Sequence, residues 1–170
     1  MIENPDQLLK LINVGVYVIG VRDGERQNAF TAAWVMQISF DPILLAIAVN
    51  PKNYSCELLK AGGICTVNVL ADNQSKIAGH FGNSFLSVPD KMDGYTWRAE
   101  VTGAPILANS LAYFECKVTH WDVTGSDPNY PSSHRLAICE VVEGKQLNTG
   151  TPMLYTQTGT LDGSSELYNV

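Results

Sequence analysis

The stretch that most constrains this chain runs from Asn28 to Ser55, NAFTAAWVMQISFDPILLAIAVNPKNYS. Proline lacks the N–H that a sheet ladder needs, so Asp41-Pro42 ends one strand-like run and Ile43 to Asn50 begins another. The second run is apolar on both faces, which predicts a strand inside a sheet. It leads into Pro51-Lys52-Asn53-Tyr54-Ser55, a loop that opens a helix. Polar groups at Asn28, Thr31, Gln37 and Ser39 punctuate the first run, with Trp34 among them. A flat, polar-edged ligand with an anionic tail suits a surface of this kind, because free N–H groups at a helix start attract anions.

The rest of the chain extends this β-rich reading. Residues 4–13 are predicted to start a short helix, with Asn4 as N-cap, Pro5 in the first turn and Gln7 at capping-box spacing. Gly15 to Val21 reads as a strand, and Asp23-Gly24 as a hairpin turn. The next strand is expected from Gln27 to about Gln37. After the loop at 51–55, Cys56 to Ala61 reads as a helix closed by Gly62-Gly63, and Ile64 to Leu70 as a strand. Asp72 is the expected cap of a helix running to Phe81 and Gly82. Residues 83–110 are rich in turn formers. Strict alternation from Leu111 to Trp121 puts Ala112, Phe114, Cys116 and Val118 on one face, with Glu115, Lys117 and Thr119 on the other. A turn-rich loop at 122–133 precedes a last strand from His134 to Glu143, and a tail is expected from Gly144-Lys145 onward. Strands without regular β-α-β alternation argue for a mainly β, antiparallel barrel with short helices. Barrel closure would also remove exposed strand edges.

Composition narrows the partners. Apolar residues make up 45% of the chain and charged ones only 16%, so a core is affordable and a second copy is expected to cover part of the surface. A net charge of −6 without any Lys/Arg run argues against nucleic acid or an anionic membrane as partner. The N-terminus has no signal-peptide pattern, and the longest apolar run, Ile43 to Val49, is too short to span a bilayer, so the cytoplasm is the expected location. Cys56, Cys65, Cys116 and Cys139 show no C-x-x-C spacing and read as buried, reduced thiols.

The chain contains no Rossmann glycine fingerprint, G-x-S-x-G elbow or Walker loop. His80, His120 and His134 have no metal-ligand spacing. Hydrolysis or phosphoryl transfer would need a positioned nucleophile, base or metal. Cofactor-borne redox chemistry asks less of the protein, which binds the group and tunes it. The loop at 51–55 reads either as an anion site using Ser55 and Lys52 or as ordinary helix capping by Asn53 or Ser55. Trp34 reads either as core or as a ring-flanking indole. Asn68, inside an apolar strand, needs a partner, which is backbone or ligand. His80 suits a helix C-terminus, Lys91 a solvated loop, and His134 the edge of a strand.

Together, GVYVIGVRDGERQNAFTAAWVMQISFDPILLAIAVNPKNYS, GGICTVNVLADNQSKIAGHFG, ALAYFECKV and HRLAICEVVEGK resemble the flavin reductase-like family of FMN-binding split barrels, in the family's order and over most of residues 14–145. The resemblance implies one domain over 1–170, with 146–170 as a C-terminal arm, and a homodimer holding FMN, or alternatively FAD, near its interface. By carry-over, Asn28, Thr31, Ala32 and Trp34 would line the ring, with backbone contacts from Gln37, Ile38 and Ser39. Asn50, Asn53, Ser55 and Cys56 would surround the ribityl chain and phosphate, and His80, Phe81 and Gly82 would close the other side. Lys91 and His134 resemble the family's cationic and histidine groups near the flavin and the nicotinamide. Trp34 and Lys91 point to the flavoredoxin-like branch. Many members carry Gly-Asp-His where this chain has Ser132-Ser133-His134, which removes an acidic neighbour from the histidine.

Three functions follow from the resemblance. The first is an NAD(P)H:flavin oxidoreductase in which Lys91 and His134 serve the reaction. The second is a flavoredoxin-type FMN protein reduced by a protein partner, and the third a non-catalytic flavin-binding module. The downstream acceptor would be a redox protein, a monooxygenase or a metal complex. No ribose-reading acidic or arginine signature distinguishes NADH from NADPH.

Overall fold

The computed structural model describes residues 8–121 and 132–158. Its strands are β1 (Tyr17–Asp23), β2 (Arg26–Ala32), β3 (Val35–Phe40), β4 (Ile43–Val49), β5 (Ile64–Val69), β6 (Trp97–Arg98), β7 (Ile106–Leu107), β8 (Ala112–Trp121) and β9 (Arg135–Gln146). The helices are α1 (Tyr54–Gly62) and α2 (Ser75–Gly82), followed by a 3-10 turn at Tyr155–Gln157. Seven strands form one sheet in the order β2-β1-β5-β8-β9-β4-β3, and β6 and β7 make a small ribbon. Every pairing in the large sheet is antiparallel.

The two end strands of this sheet, β2 and β3, are neighbours in sequence but do not pair. The single strand expected from Gln27 to Gln37 is therefore two strands. They are separated at Ala33-Trp34, where Val35 N–H bonds back to the Ala33 carbonyl and Ala48 N–H to the Trp34 carbonyl. β2 follows β1, whereas β3 follows β4, so the chain must turn at this point. The barrel is thus split at this seam. The expectation that closure removes the edges is not met among the described residues, where β2 and β3 each keep one unpaired side.

Two cores hold the fold. Inside the barrel, Ile19, Phe30, Ile47, Val67 and Cys116 meet Leu58 and Leu59 of α1. Outside it, Val16, Val18 and Ala29 pack against Ala78 and Phe81 of α2, with Leu107 and Met153. Both faces of β1 are consequently buried. Gly20 lies where Pro105 approaches: a Cβ there would sit 2.1 Å from the Pro105 carbonyl oxygen and 2.6 Å from Thr66 Oγ1. Asn68, the buried polar residue of β5, is satisfied by backbone. It donates to the Val18 carbonyl (2.9 Å) and accepts from Leu107 N–H (2.8 Å).

Several boundaries differ from the sequence reading. α1 starts at Tyr54, ahead of the expected Cys56, because Asn53 caps it by accepting from Ser55 N–H (3.2 Å). It ends at Gly63, whose φ of 65° favours glycine. Asp72 is not a helix cap. Its N–H goes to the Thr151 carbonyl, and α2 begins three residues later at Ser75. β8 keeps the expected alternation from Ala112 to Lys117, since its register with β5 is unbroken there, and the irregularity between Glu115 and Cys116 is an extra residue, Val142, on β9. Phe114 and Cys116 share a face with Val67 and Cys65 of the inner core, and Tyr113 and Glu115 share the other face with Asn68 and Thr66, where both are buried. The buried Glu115 carboxylate accepts from Val101 N–H, Thr102 N–H and the Thr102 hydroxyl. β9 continues through Gly144-Lys145 to Gln146, so the tail begins later than expected. That tail is anchored: Leu154 bridges Gly15, Pro152 bridges Ala71, and Met153 is buried in the outer core. At the N-terminus, Leu8 to Ile12 closes a single helical turn. The expected caps at residues 4–7 lie outside the described residues, as do most of the 122–133 loop and the chain beyond 158.

Candidate functional site

β2 is the strand around which the sequence-predicted residues gather. Cross-strand register puts Asn28 opposite Val21 and Thr31 opposite Val18. Val21 belongs to the inner core and Val18 to the outer one, so Asn28 and Thr31 point to opposite faces of the strand. They flank the free edge of β2 from two sides. Three clusters result.

The first cluster lies at the start of α1. Asn28 (1% exposed) donates from Nδ2 to the Oγ of Ser55 (0% exposed), 3.0 Å away. Among the described residues the side-chain Oδ1 of Asn28 accepts nothing and the Ser55 hydroxyl donates to nothing. A buried polar atom left unsatisfied costs about 1–3 kcal/mol, so native structures seldom keep one without a ligand or water. The adjoining amides are already used. Lys52 N–H goes to Asn50 Oδ1, Asn53 N–H to the Asn50 carbonyl, Ser55 N–H to Asn53 Oδ1 and Cys56 N–H to the Asn53 carbonyl. Of the two sequence readings of this loop, the capping by Asn53 is the one seen in these bonds. Asn53 caps the helix, and the polar capacity left over belongs to the Asn28–Ser55 pair.

The second cluster joins β2 to α2. The Thr31 hydroxyl donates to the Ala78 carbonyl (2.6 Å). His80 Nε2 donates to the Lys91 carbonyl (2.7 Å), and its ring packs 4.9 Å from both Phe81 and Tyr95. Lys91, expected as a solvated loop lysine, is 0% exposed. Its ammonium donates to the carbonyls of Asn83 (3.0 Å) and Phe81 (3.5 Å), at the C-terminal end of α2. No carboxylate pairs with it among the described residues, and burial lowers its pKa to about 8. Sequence alone shows a lysine in a turn-rich segment; the burial comes from the loop folding back on α2.

The third cluster is at the seam. Trp34, 45% exposed, holds its indole 4.6 Å from the His134 imidazole. A pocket of about 150 Å3 opens there, lined by Trp34, Ala48, Ser132, Ser133, His134, Arg135 and Leu136. Ser133 Oγ and His134 Nδ1 are 2.9 Å apart, so a hydroxyl occupies the place next to the ring. Burial also holds His134 below the usual histidine range. Gln37, Ile38 and Ser39 follow on β3. A bulge between Gln37 and Ser39 interrupts the ladder at Ile38, which frees backbone groups on that strand. Ala32 is buried in the inner core, Cys56 is buried in the first turn of α1 and Gly82 is exposed at the end of α2.

The polar edge of β2, the unsatisfied Asn28–Ser55 pair, a buried ammonium and an aromatic seam fit a flat heteroaromatic group with a polar tail. His120, by contrast, is exposed and, among the described residues, bonds only its neighbour Thr119. Among the described residues no His/Cys/Asp/Glu group could hold a metal ion, and no helix is long and apolar enough to cross a membrane.

Known proteins resemble this chain in sequence and in fold. The family model described as "Flavin reductase like domain" matches residues 9–163. Over 120 residues the chain is 32% identical to diflavin flavoprotein A 1 of Synechocystis sp., covering 66% of this chain and 21% of that protein. It is 30% identical over 149 residues to the high molecular weight rubredoxin of Moorella thermoacetica, covering 86% of this chain and 62% of the relative. The chain spans about a fifth of the length of the cyanobacterial diflavin relatives it matches. Among solved structures, the NADH:FAD oxidoreductase of Streptomyces globisporus C-1027 superposes with a TM-score of 0.77 at 26% identity, covering 93% of each chain.

Proposed function

Because this chain belongs to the flavin reductase-like family, we propose that it is an FMN-dependent oxidoreductase that takes electrons from a reduced nicotinamide and delivers them to an acceptor. One observation carries the proposal: the buried Asn28–Ser55 pair keeps an acceptor and a donor that no described residue uses, beside the free edge of β2. The bound flavin would supply the two-electron chemistry. The residues of this chain would bind and orient it. Asn28 and Thr31 flank the ring edge and Trp34 its face, with Ala32 and the backbone of Gln37, Ile38 and Ser39 alongside. Asn50, Asn53, Ser55 and Cys56 hold the ribityl and phosphate end, and His80, Phe81 and Gly82 close the far side. Lys91 would place a positive charge near the ring and favour its reduced form. His134, over the seam pocket, would position the nicotinamide. FMN is favoured over FAD here, and NADH and NADPH are both admitted.

The outward side of β3 supports a homodimer. Met36 and Ile38 are exposed and Phe40 is 87% exposed, an apolar strip on a charge-poor chain that a second copy would cover. A second functional reading has its own support. A high molecular weight rubredoxin and diflavin flavoproteins are relatives of which this chain spans only part. An FMN module reduced by a protein partner fits that pattern.

The test is an absorbance spectrum of the purified protein with and without added FMN, followed by anaerobic NADH and NADPH. Bleaching of a yellow protein by either nucleotide is the expected result. A yellow protein bleached only by a reduced protein partner selects the second reading. A protein that stays colourless with added FMN refutes both.

A further inference from the structure

We infer that Tyr54 and Phe85 form an aromatic clasp over the phosphate end of the flavin cleft, and that this clasp selects FMN over FAD. The inference rests on the flavin reading above and adds a determinant of which flavin is held. Tyr54 is the first residue of α1, between the cap Asn53 and the buried Ser55. Phe85 lies three residues beyond Gly82, the last residue of α2. Their rings meet at 4.3 Å with a tilt of 32°. The pair thus bridges the two helix ends assigned to the two sides of the ligand.

The loop that carries Phe85 is held in place. Asn83 Nδ2 donates to the Gly79 and His80 carbonyls, and the Lys91 ammonium donates to the Asn83 carbonyl. Two residues on, Ser87 N–H bonds both the hydroxyl and the carbonyl of Ser84, closing a turn around Phe85 and Leu86. Within that turn Phe85 is half-buried while Leu86 is 92% exposed. The exposed neighbour shows that the turn turns Phe85 inward and leaves the next side chain in water.

The aromatic surface at this end is already used. Tyr54 packs against the inner core and also meets Phe85, so its ring is engaged on both counts and offers little on which an adenine could stack. FMN ends at its phosphate, which can use the hydroxyl donor that Ser55 still has. FAD continues from that phosphate into an adenylyl group, which would have to part the clasp. Parting it exposes two aromatic side chains to water, at a cost that FMN does not incur. An intact clasp also slows the escape of FMN.

The test is a titration of flavin-free full-length protein with FMN, FAD and riboflavin, read by flavin fluorescence, with FMN release measured by stopped flow. The wild type is expected to bind FMN at least tenfold more tightly than FAD. Phe85→Ala should lower this FMN/FAD preference at least fivefold and speed FMN release by a similar factor. Phe85→Tyr, which keeps the ring, should retain the wild-type preference. If Phe85→Ala loses its fold by near-UV circular dichroism, Phe85→Leu serves in its place and should lower the preference likewise. A wild type that binds FAD within twofold of FMN, or a ring-less variant with an unmoved preference, overturns the clasp while leaving flavin binding intact. A wild type that binds none of the three flavins overturns the flavin reading and the clasp with it.

Discussion

Lys91 makes a prediction that can be worked from the structure. The Lys91 side chain is buried, its ammonium donates to two carbonyls, and burial lowers its pKa from 10.5 to about 8. The folded state therefore disfavours the charged form relative to the unfolded chain. Below pH 8 both states bind the proton, and the native state bears the full cost of burying it. Between pH 8 and 10.5 the unfolded chain holds more protons than the native one, so stability rises with pH; above 10.5 the effect is complete. At about 1.36 kcal/mol per pH unit the drop converts to roughly 3 kcal/mol. Screening by nearby solvent reduces the expected effect to about 2 kcal/mol. Lys91→Met removes the titration but keeps the chain's length and apolar stem. Urea unfolding of flavin-free wild type and Lys91→Met at intervals from pH 7 to 10.5 isolates Lys91, since the remaining tyrosines and cysteines titrate in both proteins. The stability of the wild type relative to the variant should climb by about 2 kcal/mol across that window. A difference that stays constant to within about 0.5 kcal/mol refutes the buried-ammonium reading.

The other predictions concern the core and the ligand. Gly20→Ala would drive a methyl group into the Pro105 carbonyl and the Thr66 hydroxyl, and should cost about 2–3 kcal/mol in urea unfolding. Cys65, Cys116 and Cys139 are each fully buried, so a thiol reagent should label them only as fast as the protein unfolds; immediate labelling of any of the three would contradict the packing. Asn28→Leu removes the buried amide from Ser55 and should weaken FMN binding about tenfold by fluorescence titration, while an unchanged affinity would detach this pair from the ligand. Lys91→Ala should lower the potential of bound FMN by about 30 mV, the two-electron equivalent of ~1.4 kcal/mol, and an unmoved potential would remove Lys91 from that role.

Local patterns in the chain were enough to specify its mainly β, antiparallel class. Asp23-Gly24 made a hairpin, Asp41-Pro42 separated two strands, and Gly62-Gly63 closed a helix, because each depends on the conformational limits of a few adjacent residues. The grouping of Asn28 with Ser55, of His80 with Lys91 and of Trp34 with His134 could not be derived from spacing. Those pairs lie between 11 and 100 positions apart and meet only when the sheet curls.

The seam shows the difference most clearly. Gln27 to about Gln37 looks like one continuous strand, since nothing in Ala33-Trp34 forbids extended backbone. The chain breaks there because β2 is committed to β1 and β3 to β4, and one straight strand cannot serve both partners. The burial of Glu115 has the same origin. Alternation put it on the face opposite Phe114 and Cys116, and there the Thr102 loop supplies three donors for its carboxylate and covers it. Lys91 is buried for a third reason of this kind, as its ammonium bonds the backbone that ends α2. Local propensity and hydrophobic period, which act over neighbouring residues, are written in the sequence. Which free edge, which buried charge and which aromatic pair surround the ligand is decided by contacts between distant segments, whose energies exist only once the barrel has formed.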